Sequence, residues 1–235
     1  MGDPAFGQGA INPLTGAPVP ESIPWITSLN NRFFVDDVPL LFLPYLSFPA
    51  EDPNIPLRSV TLENDSVFGG QVRTVWDLQR LLGIEEVPGT EWDLLADYLS
   101  KRGPAIGTGG NYNGIEILGI PGIASGEGLG YYVHDAGRDN LGADRRDLIS
   151  ESDDRWRVQL RHRQDLPQDF TILGEIGVLS DRNFLEQYFE EEFDEGKDVE
   201  TLIYGRQYYD NWAWTILGRP QTNAFQNTTE WLPRG

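Results

Sequence analysis

The stretch that decides the fold is Arg155-Trp156-Arg157-Val158-Gln159-Leu160-Arg161-His162-Arg163. Every second residue is charged or polar, and a tryptophan, a valine and a leucine lie between them. Side chains alternate between the two faces of a β-strand, so a strand would separate the arginines from the apolar groups. In a water-soluble protein the apolar face packs on a core. In an outer-membrane barrel the apolar face meets lipid and the arginines line a watery lumen.

Composition excludes several classes of function. The chain has 235 residues, with 37 acidic and 18 basic side chains and a formal net charge of −19. A general nucleic-acid binder needs a basic surface, so no nucleic acid is expected as a partner. The absence of cysteine excludes disulfides and thiolate metal sites within the chain, and its two histidines, His134 and His162, lie far apart. No P-loop, GxSxG elbow or HExxH pair occurs, and we predict no catalytic residue, metal or cofactor.

The two ends of the chain and its hydropathy bear on where the protein resides. No stretch approaches the roughly 18 consecutive apolar residues of a membrane-spanning helix. The first six residues lack the basic and apolar regions of a signal peptide. Residues 230–235 stop just after what resembles the start of a strand. Either the protein is cytoplasmic or the chain is a piece of a longer one, and the end at the start of a strand favours a piece.

The first quarter of the chain is irregular in pattern. Residues 1–24 are rich in glycine, proline and alanine without a period, which predicts a loop, and residues 25–34 predict one strand. Residues 38–49 form the most apolar run, and prolines 39, 44 and 49 disfavour a long central strand there. This run predicts an extended, buried strap, followed by a polar connector over residues 50–58.

From residue 60 onward the pattern predicts an antiparallel meander with strands over 72–78, 105–113, 129–134, 155–163, 170–179, 200–208 and 212–217. Residues 114–128 predict a glycine-rich loop, and 135–154 a long polar loop. Residues 94–99 fit a helix or a strand by period alone. A helical period predicts a short helix near 182–193, with Asp181 as its N-cap and Gly196 at its C-terminal end. Several strands reach the roughly 9–11 residues that a tilted membrane-spanning strand needs.

Three segments carry a family resemblance. Residues 38–49 look like a proline-rich strap between a periplasmic domain and a barrel, residues 96–103 like a hairpin near the first barrel strands, and residues 179–185 like a connector between barrel strands. In order and spacing the chain resembles the lipopolysaccharide-assembly outer-membrane family LptD, also called OstA or organic solvent tolerance protein. The matching positions are Pro39, Pro44, Tyr45 and Pro49 in the strap, and Ser180, Asp181 and Phe184 in the connector.

The resemblance implies an all-β fold and favours a strand over 94–99. That fold is an antiparallel meander forming part of an outer-membrane β-barrel, preceded by the end of a periplasmic β-jellyroll. It divides the chain into an irregular segment over 1–24, the end of the jellyroll-like domain with the strap over 25–58, and the N-terminal part of the barrel over 59–235. The chain lacks the family's signal peptide, most of the jellyroll, the later barrel strands and the cysteines of some members, so an internal fragment is expected.

The resemblance also implies a function. In that family the jellyroll receives lipopolysaccharide from a periplasmic bridge, the lipid tails pass into the membrane, and the sugars cross a lumen plugged by a small lipoprotein. The implied role is non-enzymatic: lipopolysaccharide transport and insertion into the outer leaflet of the cell outer membrane. The implied partners are lipopolysaccharide, an LptE-like plug lipoprotein, an LptA-like periplasmic bridge and outer-membrane lipid.

Two interpretations of the charged residues remain open from the sequence. The candidate lumen-facing residues Arg155, Arg157, Arg161 and Arg163 could meet phosphates and acidic sugars, because guanidinium pairs bidentately with phosphate. They could instead pair with the chain's own acids, which are in excess. The acidic run over 190–195 predicts a solvated face, because adjacent helical carboxylates do not face one another and the EF-hand spacing is absent.

The aromatic residues also leave alternatives. Trp76, Trp92, Trp212, Trp214 and Trp231 fit either a girdle at a membrane interface or ordinary core positions. The aromatic content of 11% and the acidic pairs support a second hypothesis of another class, a soluble all-β carbohydrate-binding module or glycosidase fragment. Such a module buries its apolar strand faces against a second sheet. A barrel wall leaves them as an outward band.

Overall fold

A computed structural model describes residues 25–35, 38–49, 56–84, 87–142, 145–196, 199–225 and 230–234. The strands, in chain order, are β1 Trp25–Val35, β2 Val38–Pro49, β3 Leu57–Asp65, β4 Gly69–Asp77, β5 Thr90–Leu99, β6 Gly103–Ile115, β7 Ile123–His134, β8 Arg138–Asp139, β9 Leu148–Ile149, β10 Asp154–Leu166, β11 Phe170–Leu179, β12 Leu202–Tyr209, β13 Trp212–Arg219 and β14 Glu230–Arg234. The α-helices are α1 Leu78–Leu81, α2 Phe184–Tyr188 and α3 Glu190–Asp194, with a 3₁₀ turn over Ile117–Gly119. The protein is therefore all-β, as the sequence predicts.

One ten-stranded antiparallel sheet dominates the fold. Its strand order is β3-β4-β5-β6-β7-β10-β11-β12-β13-β14, so each strand pairs with its neighbours along the chain, and β8 and β9 pair in the loop between β7 and β10. β1 and β2 form a separate hairpin. Among the described residues the large sheet stays open, with β3 and β14 at its edges. Within the same ranges no helix is long and apolar enough to cross a membrane.

The predicted loop over 114–128 is wrong in its second half. β7 begins at Ile123 and pairs on both sides, with β6 and with β10. Glycine weakens a strand by propensity, but it also allows a close approach of neighbouring side chains. At Gly126 an added Cβ would lie 2.4 Å from the Tyr112 hydroxyl oxygen, and that hydroxyl contacts Nδ1 of His162 across the strand. The glycine is therefore part of the strand.

The predicted single helix near 182–193 is two short helices. Between them Phe189 adopts φ −138° and ψ 54°, which is not helical. The N-cap position is Asn183 rather than Asp181, although the Asp181 carboxylate does accept the backbone N–H of Asn183 at 3.0 Å. Gly196 follows α3 with φ +70° and donates its N–H to Phe193, which confirms the predicted end. The four-residue α1 was not predicted, and Asp77 caps it by accepting from the N–H of Arg80.

The strap over 38–49 is extended, but its described side chains are not buried. β2 pairs with β1 over its whole length, with Pro39 opposite Phe34 and Pro49 opposite Trp25. Phe42 and Tyr45 each expose about half of their surface, and Pro44 is exposed. Proline has no backbone N–H and is therefore excluded from central strands, which pair on both sides. A strand in a two-stranded hairpin pairs on one side only, so it tolerates proline. Residues 1–24 lie outside the described residues.

Most of the buried apolar side chains lie on one face of the large sheet, at one end. The cluster combines the sheet residues Leu99, Ala105, Tyr131, Val133 and Leu179 with Phe184, Leu185 and Tyr188 of α2 and with Val199. A smaller cluster of Trp76, Leu81 and Ala96 lies on the opposite face, where α1 covers β4 and β5. The segment over 180–199 thus covers only part of the sheet.

Replacing Gly177 by alanine is expected to destabilise the fold. The new Cβ would lie 2.6 Å from Cγ1 of Val199 and 2.8 Å from the carbonyl oxygen of Glu200, so the segment on the sheet must shift. Overpacking of this kind costs about 1–3 kcal/mol. Urea unfolding followed by tryptophan fluorescence measures the loss. Gly174 is the control in the same strand, because a Cβ there has no neighbour within 4 Å. Equal stability of the two variants would contradict this packing.

Candidate functional site

The two faces of β10 have opposite character, and the arginine face is the buried one. The side chains of Arg155 and Arg157 are fully buried. Trp156 and Val158, between and after them, expose 37% and 46% of their surface. The alternation predicted from the sequence is therefore present, with the polar side inward and the apolar side outward. We call these two sides of the large sheet the inner face and the outer face.

The apolar outer face continues across the neighbouring strands. In the strand register Trp156 lies opposite Tyr132, and Tyr132 lies opposite Ile106. On the other side Leu160 lies opposite Ile176. These residues are all exposed, and the same face carries Ile203 and Ile216 farther along the sheet. Contiguous exposed apolar surface on this scale marks an interaction site or a membrane contact.

A buried ionic cluster organises one end of the inner face. Arg155 forms two hydrogen bonds to Asp181, from Nε at 3.0 Å and from Nη2 at 2.9 Å. Its Nη1 bonds to Asp139 and lies 3.6 Å from Asp135. All of these side chains are essentially excluded from solvent. The guanidinium also lies 5.8 Å from the ring centre of Phe184. Connector residues Asp181 and Phe184 are thus held against β10.

Ser180 and Tyr188 extend this cluster. Ser180 donates to Asp181 and accepts the backbone N–H of Trp156 at 3.0 Å. The Tyr188 hydroxyl donates to Asp135 at 2.6 Å, and Arg102 donates to the same carboxylate. Burial, followed by the hydrogen bond to Asp135, raises the pKa of Tyr188 far above its usual value. Tyr188 therefore stays neutral and remains a donor at any ordinary pH.

The remaining arginines of β10 also have acidic partners. Arg157 donates to both carboxylate oxygens of Glu192 in α3, at 2.7 and 2.9 Å. Arg161 bridges Glu127 and Glu175, and Arg163 forms a bidentate pair with Asp165. The pairing with the chain's own acids, one of the two sequence alternatives, is thus what the structure contains for all four arginines.

Beyond the ionic cluster the inner face is an open trough. A cavity of about 620 Å³ lies between the sheet and α3. Its lining includes Asp93, Asn111, Glu127, Gln159 and Arg161 of the sheet, Glu191 and Glu192 of α3, and Glu195 directly after α3. A second cavity of about 530 Å³ shares Asn111, Glu127 and Arg161 with it and reaches Arg163 and Glu175. We call the two together the inner trough. Its walls carry positively charged, negatively charged and amide side chains, all of which form hydrogen bonds. Such a lining suits polar ligands such as sugars.

The sequence leaves two alternatives for the tryptophans, exposed girdle positions or ordinary core positions, and the structure contains both kinds of position. Trp76 is buried beneath α1 and donates to Thr74, so it is a core residue. Trp92 and Trp212 are exposed, and Trp92 donates to Thr108 at 2.8 Å. Trp214 is half-buried, and its indole donates to Gln207. The side chain of Trp231 lies outside the described residues.

The sequence analysis missed part of the ionic cluster. The sequence pattern assigns Asp135 and Asp139 to a long polar loop, and Arg102 to a segment that resembles a hairpin. Their partners lie 16 to 53 residues away, so no local spacing connects them. One sequence signal does point to the cluster. The loop over 135–154 is rich in charged side chains, and the strand that follows it carries four arginines. In the described ranges no group of three or more acidic or histidine side chains could hold a metal ion.

Comparison with models of protein families found no match to this chain, and a search of the curated proteins found none either.

Proposed function

We propose that this chain is part of an LptD-like outer-membrane translocon that transports lipopolysaccharide and inserts it into the outer leaflet. The observation that carries the proposal is the inverted polarity of the large sheet. In β10 the arginines lie on the inner face, whereas Trp156, Val158 and Leu160 lie exposed on the outer face. Ile106, Ile176 and Ile203 continue that exposed apolar face on other strands of the sheet. A lipid-facing wall needs that arrangement, because the lipid solvates apolar side chains and the lumen solvates charged ones.

Strand length supports the same proposal. β6 and β10 have 13 residues each, and β7 has 12. Strands in soluble domains usually have about five or six residues, whereas a tilted strand that spans a bilayer needs about 9–11. Turns of two or three residues join β3 to β4, β5 to β6, β10 to β11 and β12 to β13. Long antiparallel strands with such hairpins are expected in a barrel wall.

The proposal gives each region a role. The outer face contacts outer-membrane lipid, and the inner trough passes the sugars and is the surface for an LptE-like plug. The hairpin of β1 and β2 belongs to the strap that joins a jellyroll, which receives its cargo from an LptA-like bridge. The role is non-enzymatic and needs no cofactor.

The alternative, a soluble carbohydrate-binding module or glycosidase fragment, receives less support. A soluble module buries the apolar faces of its strands against a second sheet. In the described residues Val158, Ile176 and Ile203 remain exposed, with no second sheet over them. The polar inner trough is compatible with sugar binding in either case, so the outer face discriminates between the two.

The test is to ask which face meets lipid. The chain has no cysteine, so single cysteines at Val158 and at Gln159 can each carry an environment-sensitive fluorophore. The two positions are adjacent but lie on opposite faces. In phospholipid vesicles we expect the label at 158 alone to shift to the blue and to be quenched by brominated lipid. Equal responses at both positions, or a monomer that is soluble and β-rich in plain buffer, would contradict the proposal.

The cargo is tested separately in the full translocon. A photo-crosslinking amino acid at Gln159, on the wall of the inner trough, is expected to capture lipopolysaccharide in cells. The same amino acid at Val158, on the outer face, is the matched control. Capture of other glycans at 159 without lipopolysaccharide would favour the carbohydrate-binding alternative.

A further inference from the structure

The residues 190–195, which include α3, form a flap over the inner trough between two anchored stretches of chain. On one side α2 buries Phe184, Leu185 and Tyr188 in the main core, and on the other side Val199 is buried in the same core. α3 itself buries no residue. Its side chains at 191, 192 and 195 line the trough. The flap is therefore held at its ends rather than by its own packing.

The backbone at both ends of the flap departs from regular helix, and the ring of Phe189 itself packs on the main core. Phe189 interrupts the helical path between α2 and α3. Gly196 has φ +70°, and a Cβ added there would meet no atom within 4 Å. Hinges in proteins are typically a few residues at the ends of elements that absorb changes in φ and ψ.

One ion pair latches the flap to the sheet. The Arg157 guanidinium forms two hydrogen bonds with Glu192 and lies 4.4 Å from the ring centre of Phe189. The arginine is fully buried, whereas the Glu192 side chain is 30% exposed. The Nε of Arg157 has no hydrogen-bond partner among the described residues. The Nη2 of Arg157 also donates to Gln159 on the same strand. The charge of this buried arginine is thus paired with a partly solvated carboxylate that belongs to the flap.

The flap also sets the charge of the trough. Of the carboxylates that line the larger cavity, Asp93 and Glu127 belong to the sheet, and Glu191, Glu192 and Glu195 belong to the flap. When the flap lifts, its three glutamates move away from the trough. Arg157 then becomes accessible beside Arg161, which lies on the same face of β10. A closed flap adds three carboxylates to the trough, whereas an open flap leaves the guanidinium groups of Arg157 and Arg161 with three acids of the sheet, Asp93, Glu127 and Glu175.

We propose that residues 190–195 are an acidic lid, latched by Glu192 to Arg157, that controls the access of phosphate groups to Arg157 and Arg161. Guanidinium binds phosphate bidentately, which makes a phosphate group the ligand class that best replaces the Glu192 carboxylate. The inference concerns the inner face alone and goes beyond the proposed transport function, since it holds for a free phosphate as well as for a phosphorylated lipid.

The motion is tested by distances between two spin labels. Labels on cysteines at Thr61, in β3, and at Asp194, in the lid, report the position of the lid relative to the sheet. We expect one narrow distance population in the otherwise unchanged chain and a second, longer population in Glu192→Gln. Glu190→Gln removes the same charge from the same helix without touching the latch, and should leave the narrow population alone. A single narrow population in Glu192→Gln would overturn the lid.

The ligand is tested by calorimetry with inorganic phosphate and with dodecyl phosphate. If phosphate binds only when the lid is open, its apparent dissociation constant is the intrinsic constant divided by the fraction of open molecules. Glu192→Gln raises that fraction, so it should bind phosphate about tenfold more tightly than the unchanged chain. Arg161→Gln in the Glu192→Gln background should lose that gain. Tighter binding of dodecyl phosphate would identify a lipid-linked phosphate as the ligand, and equal binding a free one. No gain with either probe would overturn the phosphate site, whatever the fluorophore test of the outer face gives.

Discussion

Replacing Arg155 by methionine is expected to destabilise the protein by about 3–5 kcal/mol, because it leaves buried carboxylates without their cation. Asp139 and Asp181 are at most 1% exposed and lose their shared partner. Removing one member of a buried ion pair costs far more than the pair contributes, since the remaining charge cannot return to water. The free energy of unfolding, from urea titration followed by tryptophan fluorescence, measures the loss.

Two further variants separate this cause from a general effect of losing an arginine. Arg163 lies on the same strand and pairs with Asp165, but both side chains are more than one-third exposed. Arg163→Met should therefore cost less than about 1 kcal/mol. Adding Asp139→Asn and Asp181→Asn to Arg155→Met should recover part of the loss, because the uncompensated charges are removed. Equal costs for the two arginines would show that the cluster does not stabilise the fold.

The meander itself could be predicted from the sequence because its signals are local. Alternation over residues 155–163 and the return over 170–179 identify β10 and β11, and the structure pairs them with Arg157 opposite Leu179 and Leu166 opposite Phe170. Alternation also separates the two faces of the strand. It does not say which face is buried, because a soluble sheet and an inverted one have the same period.

The failures have a common physical reason, which is that the deciding contacts are distant in sequence. The glycines at the start of β7 have low strand propensity and predict a loop, but pairing with strands on both sides overrides that propensity. The partners of Arg155 were missed for the same reason. Asp139 lies 16 residues before it, and Asp181 lies 26 residues after it. Only the folded chain brings the three side chains together.

The hinged geometry of α2 and α3 was also beyond the sequence pattern. Apolar residues at helical spacing run through Phe189 without a break, so one continuous helix was predicted. The ring of Phe189 instead packs edge-on against Tyr131 and near the guanidinium of Arg157. These tertiary contacts outweigh the small cost of interrupting a helix this short. The acidic run was correctly expected to be solvated, except that Glu192 turns to Arg157.

Replacing Val158 by arginine is expected to distinguish a lipid-facing wall from a soluble sheet. Val158 is 46% exposed on the outer face, in the middle of the apolar band formed by Trp156, Leu160 and Ile176. In a bilayer an arginine at mid-depth on a barrel wall costs about 2–4 kcal/mol. In a water-soluble protein the same exposed position would tolerate arginine within about 0.5 kcal/mol.

The measurement is the free energy of unfolding from urea titration in phospholipid vesicles, with Asn111→Arg as the matched control. Asn111 is an exposed residue on the inner face of the same sheet, where it lines both cavities of the inner trough beside Glu127. A barrel wall predicts a large loss at 158 and a small one at 111. Two small losses would mean that water, rather than lipid, covers the outer face. Because both variants add the same side chain to the same sheet, the difference between them reports the environment of each face.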